Sequence, residues 1–144
     1  FLQETHYETE MHQTDTQKAQ AILDELLTMK ILYLWKDPHP VAMAAHAKST
    51  PHGGCINFVY TPPEQRGRGY AKDIVAALGK HMLSHGSRFC FILTDTDDEL
   101  TNRLYQKVGA RTLCELLRCN LVPAKKNAAP STGATTTAKL VPAG

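Results

Sequence analysis

An α+β fold, layered in the α/β manner, is predicted for this 144-residue chain by two features of its apolar pattern. Apolar residues alternate between a helical period and short, nearly continuous runs, in the order helix, hairpin, strand, helix, strand, helix, strand. None of those runs exceeds a handful of residues, so no helix is expected to cross a membrane. Hydrophobic residues make up 42% and charged residues 21%, close to the globular average, and the length suits one domain with a real core.

Residues 1–13 are polar, with Glu4, His6, Glu8, Glu10 and His12, and carry no clear period. From Thr14 onward Ala19, Ile22, Leu23, Leu26 and Leu27 recur at helical spacing, and Thr14 with Gln17 has the form of a capping box, so a helix is expected over 15–29. Ile31–Trp35 and Val41–Ala47 read as strands of a hairpin whose turn, 36–40, contains two prolines that should stop further pairing. Pro51-His52-Gly53-Gly54 reads as the next turn. Cys55–Tyr60 is apolar enough to be a strand buried on both faces. Ala71, Ile74, Val75, Leu78 and Met82 form one stripe of a helix over 69–85, stopped by Gly86. Arg88–Thr94 is a further buried strand. Thr96 and Glu99 then form a capping box, and Leu100, Leu104 and Val108 supply the stripe of a third helix, ended by Gly109. Arg111–Arg118 completes the sheet. Residues 121–144, rich in Ala, Thr, Pro and Gly and lacking aromatics, are expected to be a flexible tail. The expected organisation is therefore a polar segment 1–13, a domain 14–120 and a tail 121–144.

The formal charge is +2, from 16 basic and 14 acidic residues; three of the lysines fall in 121–144, where there is no acid, leaving 13 bases against 14 acids before it. A slightly acidic domain is not a nucleic-acid platform. Cys55, Cys90, Cys114 and Cys119 form no C-x-x-C pair and read as small buried hydrophobes in a reducing, cytoplasmic setting. The seven histidines are scattered, so no metal site is expected. No charged segment precedes an apolar one as in a signal peptide. The first residue, Phe1, suggests a fragment or a processed chain.

The stretch Thr61-Pro62-Pro63-Glu64-Gln65-Arg66-Gly67-Arg68-Gly69-Tyr70-Ala71 lies between a buried strand and a helix start. Amides there have no helical partner, small residues allow close approach, and two arginines add charge, so a pyrophosphate suits it. It has neither the Gly-Lys-Ser/Thr ending of a P-loop nor the G-x-G-x-x-G spacing of a dinucleotide fold.

Arg66-Gly67-Arg68-Gly69-Tyr70-Ala71 resembles the Arg/Gln-x-x-Gly-x-Gly/Ala signature of the GNAT superfamily of acetyl-coenzyme A-dependent N-acyltransferases, and residues 98–109, with Leu104-Tyr105-Gln106-Lys107-Val108-Gly109, resemble that family's later helix. The likeness spans about residues 15–120 and is nearest to the C-terminal catalytic half of two-domain bacterial acetyltransferases. It implies a mixed, mostly antiparallel sheet with a V-shaped splay between central strands and helices on both faces. It also implies transfer of an acetyl group from acetyl-coenzyme A, with no metal, to a primary amine on a small molecule or peptide, by direct attack in a ternary complex. A non-catalytic acyl-coenzyme A binding or sensing module is the alternative. A homodimer or a missing N-terminal domain stays open.

By the same resemblance, the amides of Arg66, Gly67, Arg68, Gly69, Tyr70 and Ala71 would hold the pyrophosphate, and the strand edge Phe58, Val59, Tyr60 and Thr61 would pair with the pantetheine arm. Asp98 stands where the family usually has Asn near the cofactor, and Asn102 would bond the pantetheine or adenosine part. Tyr105 matches the general acid that protonates the departing thiolate; a phenol near pKa 10 can share its proton with such a sulfur. No base is assigned among Asn57, Tyr60, His52 and Asp95. Ala110 departs from the aromatic that usually follows the glycine. Six acids in residues 1–28, and the cluster Asp95, Asp97, Asp98 and Glu99, read either as solvated residues and helix caps or as a field that would attract a cationic amine.

Overall fold

The computed structural model describes residues 16–48, 50–117 and 135–141. The first apolar stripe forms helix α1, Thr16–Thr28, which buries Ala19 and Leu26 and leaves Leu27 exposed. Thr14, the expected cap, lies outside the described residues, as does the polar segment 1–13. Lys30, at φ 56, turns the chain out of α1. Strand β1, Leu32–Asp37, then pairs antiparallel with β2, His39–Lys48. The predicted five-residue turn shrinks to Pro38. Lys36 pairs with Pro40 and Asp37 with His39, so proline does not end this hairpin. Pairing of β2 with the next strand begins only at Met43, so the missing N–H of Pro40 interrupts no ladder on that side.

Strand β3, Gly53–Tyr60, takes in the two glycines expected in a turn. A Cβ on Gly53 would lie 2.2 Å from the Phe89 ring, and one on Gly54 would displace the tip of Met82, so the strands approach closely where both positions are glycine. Opposite β2, Met43 pairs with Tyr60 but Ala45 with Asn57, which leaves an extra residue on β3 beside Phe58, itself at φ 51. This bulge bends the end of β3. Helix α2, Tyr70–Ser84, leads to β4, Phe89–Asp95. Strand β4 lies parallel to β3, yet they pair only where Gly53, Gly54 and Cys55 meet Phe89, Cys90 and Phe91. Beyond that point the two strands separate. The resulting notch is the V-shaped splay that the family resemblance implied. Strand β4 alternates in burial, with Ile92 buried and Leu93 46% exposed, in place of the fully buried strand expected.

Helix α3, Glu99–Lys107, is capped by Asp98, whose carboxylate accepts from the Thr101 amide at 3.0 Å, and not by Thr96. Strand β5 is Arg111–Leu117 and β6 is Thr135–Val141, in the sheet order β1-β2-β3-β4-β6-β5. Residues 135–141, assigned to a flexible tail by composition, are thus a sheet strand that pairs with β4 on one side and β5 on the other. Consequently β5 lies at the edge, one strand further out than expected. The sheet is mixed, mostly antiparallel with one parallel pair. One face carries α2 and α3, with Ile74, Val75, Leu78, Met82 and Tyr105 packed on Ala42, Ala44, Ile56, Cys90 and Ile92. The other carries α1, with Leu26 on Met43, Ala45 and Tyr60. Cys55 and Cys90 are buried thiols as expected, whereas Cys114 is exposed and Cys119 lies outside the described residues.

Candidate active site

A cleft of about 760 Å³ opens between the end of β3, the start of α2 and one face of α3. Its walls include Val59, Tyr60, Thr61, Arg66, Gly67, Gly69, Tyr70, Ala71, Asp98 and Tyr105, ten of the thirteen residues expected from sequence. Phe58, Arg68 and Asn102 do not line it. Phe58 packs toward α1, on the opposite face of the sheet.

The loop shapes the anion end. Gly67 at φ 77 and Gly69 at φ 89 adopt a backbone that side chains resist, and nothing lies within 4 Å of where a Gly67 Cβ would be. Gly69 is the N-cap of α2 and supplies no side-chain cap. The amides of Tyr70, Ala71 and Lys72 belong to the first helical turn, where no intrahelical acceptor exists, and these residues line the same cleft. The Arg66 amide is already spent on the Pro63 carbonyl at 3.2 Å, so the phosphate cradle expected over 66–71 begins after it. Arg66 works through its side chain: Nε donates to the Thr61 carbonyl at 3.0 Å, and the guanidinium lies 5.9 Å from the centre of the Tyr60 ring. Tyr70 donates its hydroxyl to Asp37 Oδ2 at 2.8 Å, which ties the start of α2 to β1.

Lys72, Arg103 and Lys107 also line the cleft; none was expected as a site residue, although Arg103 and Lys107 fall in the stretch that resembles the family's later helix. The signal was present in α3, where 100, 103, 104 and 107 recur at helical spacing. Arg103 is held by Glu99 one turn earlier at 2.7 Å.

At the narrow end, Tyr105 is buried in the main core yet forms part of the cleft wall. Burial, with the charges of Asp98 and Cys55 added, pushes its hydroxyl well above the ordinary tyrosine value of 10. Thr61 also lines the cleft, and its Oγ1 is buried with no hydrogen-bond partner among the described residues. Asp98 both caps α3 and faces the cleft. Asn102 turns the other way: Thr94 Oγ1 donates to its Oδ1 at 2.7 Å, and its Nδ2 donates to the Asp95 carbonyl at 2.8 Å. Among the residues considered as a base, Asn57 Oδ1 accepts from Cys55 Sγ at 2.7 Å and Asp95 Oδ1 accepts from the Asp97 amide at 3.2 Å. Among the described residues no three His, Cys, Asp or Glu side chains cluster to hold a metal, and no helix is long and apolar enough to cross a membrane.

A sheet forked at its one parallel pair, with free helix amides at the mouth and a buried phenol at the fork, is the arrangement of an acyltransferase that takes its acyl group from a nucleotide thioester. Solved structures share the fold. A Brucella melitensis ribosomal-protein-alanine N-acetyltransferase superposes with a TM-score of 0.70 at 13% identity, covering 96% of this chain and 87% of that one. A Bacillus subtilis acetyltransferase in complex with coenzyme A gives 0.68 at 17%, covering 86% and 84%. Arabidopsis thaliana NAA60 with a bisubstrate analogue gives 0.65 at 12%, covering 96% and 88%. No curated protein matches by sequence. The acetyltransferase (GNAT) family profile matches residues 2–110, so the chain belongs to the GNAT acetyltransferase family. It is an acetyl-coenzyme A-dependent acyltransferase, and acetyl-coenzyme A is its co-substrate. The matched region starts ahead of the boundary expected at residue 14 and stops before β5 and β6.

Proposed function

We propose that this chain transfers the acetyl group to a primary amine of a small molecule or peptide, with both substrates bound together and Tyr105 as proton donor. The observation that carries the reading is the Tyr105 phenol, buried in the core and yet in the cleft wall where β3 and β4 part.

The donor set suits acetyl-coenzyme A. The first-turn amides of α2, with Lys72, would face the pyrophosphate. The main chain of Val59–Thr61, released from β4 beyond Cys55, would pair with the pantetheine amides, and the free Thr61 hydroxyl adds one more group there. When bound, the co-substrate supplies a thioester carbonyl carbon and a thiolate leaving group. Burial and the nearby negative charge of Asp98 and Cys55 favour the protonated phenol, which would present its proton to the sulfur as the C–S bond breaks. A donor already oriented in a water-poor pocket costs little reorganisation at that moment. Among the described residues no cysteine lines the cleft, which favours direct attack by the amine over an acyl-enzyme. Its proton then leaves after or during attack; no base is assigned. The buried thiol of Cys90 and the exposed one of Cys114 suit a reducing compartment such as the cytoplasm.

The test is thiol release from acetyl-coenzyme A over a panel of an alanine-led tripeptide, lysine and spermidine. Release that depends on an amine, with the acetyl group recovered on that amine, is expected. Tight binding of acetyl-coenzyme A without amine-dependent release would instead identify a sensing module.

A further inference from the structure

Asn102 lies one turn before Tyr105 on α3, and both ends of its side-chain amide are engaged within the protein. Oδ1 accepts from Thr94 Oγ1 at 2.7 Å; Nδ2 donates to the Asp95 carbonyl at 2.8 Å and reaches that of Thr96 at 3.3 Å. Its own carbonyl accepts from Lys139 Nζ at 3.4 Å, and Lys139 is buried on β6. The residue therefore ties α3 to the tip of β4, which is one arm of the fork, and to the strand beside it.

Helix α3 has only nine residues, fewer than an isolated helix needs to hold itself, and Tyr105 is its one buried residue. Tyr105, with the half-buried Leu104 and Val108, gives it a small apolar footing on the core, and polar contacts at its start add to that footing. The cap at Asp98 fixes where the helix begins. The bonds to Thr94, Asp95 and Thr96 fix how it sits on β4. We infer that Asn102 is a positioning residue for Tyr105, holding the phenol at the point where it meets the departing sulfur. This rests on the reading of Tyr105 given above. Removing the amide leaves the buried Thr94 hydroxyl only the longer contact to the Asp95 carbonyl at 3.4 Å and frees the helix to shift, and a displacement near 1 Å can cost up to about 100-fold in rate.

The experiment is a double-mutant cycle of wild type, Asn102→Ala, Tyr105→Phe and the double variant, read by kcat for thiol release with the fastest amine of the panel and by equilibrium affinity for acetyl-coenzyme A. Asn102→Ala is expected to lower kcat roughly tenfold with affinity changed less than about twofold. In the Tyr105→Phe background the same change is expected to lower kcat by less than about twofold. An equal loss in both backgrounds, or no loss in either, overturns the positioning inference and leaves the Tyr105 reading standing. An unchanged kcat for Tyr105→Phe, or no amine-dependent release by the wild type, overturns both. Should Asn102→Ala fail to fold, Thr94→Val enters the same cycle, with Thr94→Ser expected to recover most of the rate. A second readout needs no substrate: in protein labelled at tyrosine Cζ, with Tyr105→Phe assigning the signal, Asn102→Ala is expected to lower the pH at which Tyr105 ionises. An unmoved titration counts against the inference.

Discussion

Tyr105 can serve as a donor because its surroundings oppose the phenolate: the ring is buried, and Asp98 and Cys55 add negative charge nearby. That arrangement has a consequence for stability. The folded chain holds this proton more tightly than the unfolded chain, so as pH rises past 10 the unfolded state gives it up first and gains relative to the folded one. The contribution is intact below 10 and is lost above it. Unfolding by urea at about pH 8 and about pH 11 is expected to show a larger loss of stability for wild type than for Tyr105→Phe, whereas equal losses would contradict the assigned environment. The residue could be picked out from its motif, but its burial could not. The neighbouring polar residues were harder to sort. Asp98 and Asn102 lie about one turn apart, and what separates a cleft-facing cap from a lock on β4 is the point at which β4 ends, a tertiary fact absent from local pattern.

Among the elements, β3 does most to form the site: its first three residues pair with β4, its bulge at Phe58 bends it, and its end pairs with β2 at Met43 but not with β4. The short parallel pairing depends on glycine. Gly53→Ala would drive a Cβ into the Phe89 ring, 2.2 Å away, and is expected to destabilise the fold by about 1–3 kcal/mol as measured by urea unfolding. A neutral result would mean that the rings and strands there yield freely. Helices were legible to within a residue at each described end, 15–29 against Thr16–Thr28 and 69–85 against Tyr70–Ser84, because their stripes are long and their stops are glycine or polar residues. Strand ends were not. Pro40 suggested a break, but β1 is an edge strand and β3 does not reach Pro40, so the proline has a tolerated place in the ladder.

On the scale of the whole molecule, β6 joins the far half of the sheet to the fork. Ala138, Lys139 and Val141 are buried between β4 and β5, so a chain ending at Ala134 would lose an interior strand. Such a chain is expected to lose cooperative thermal unfolding, followed by circular dichroism; a melt like that of the full chain would show the strand to be dispensable. Composition hid this element, since Thr-Thr-Thr-Ala-Lys-Leu-Val has no aromatic and sits among Ala, Pro and Gly, while its β-branched residues suit a strand that neighbours can flank on both sides. The charge balance reads differently as well. Lys139, one of three lysines that made the C-terminal stretch basic, is buried against α3, where burial lowers its pKa. In the proposed mechanism the Tyr105 phenol acts on the leaving sulfur without holding the co-substrate. Its most direct test is Tyr105→Phe, measured for kcat and for acetyl-coenzyme A affinity in the same preparation. A fall in kcat of about 100-fold with affinity within about twofold is predicted; an unchanged kcat, or a loss of affinity that accounts for the whole effect, would contradict it.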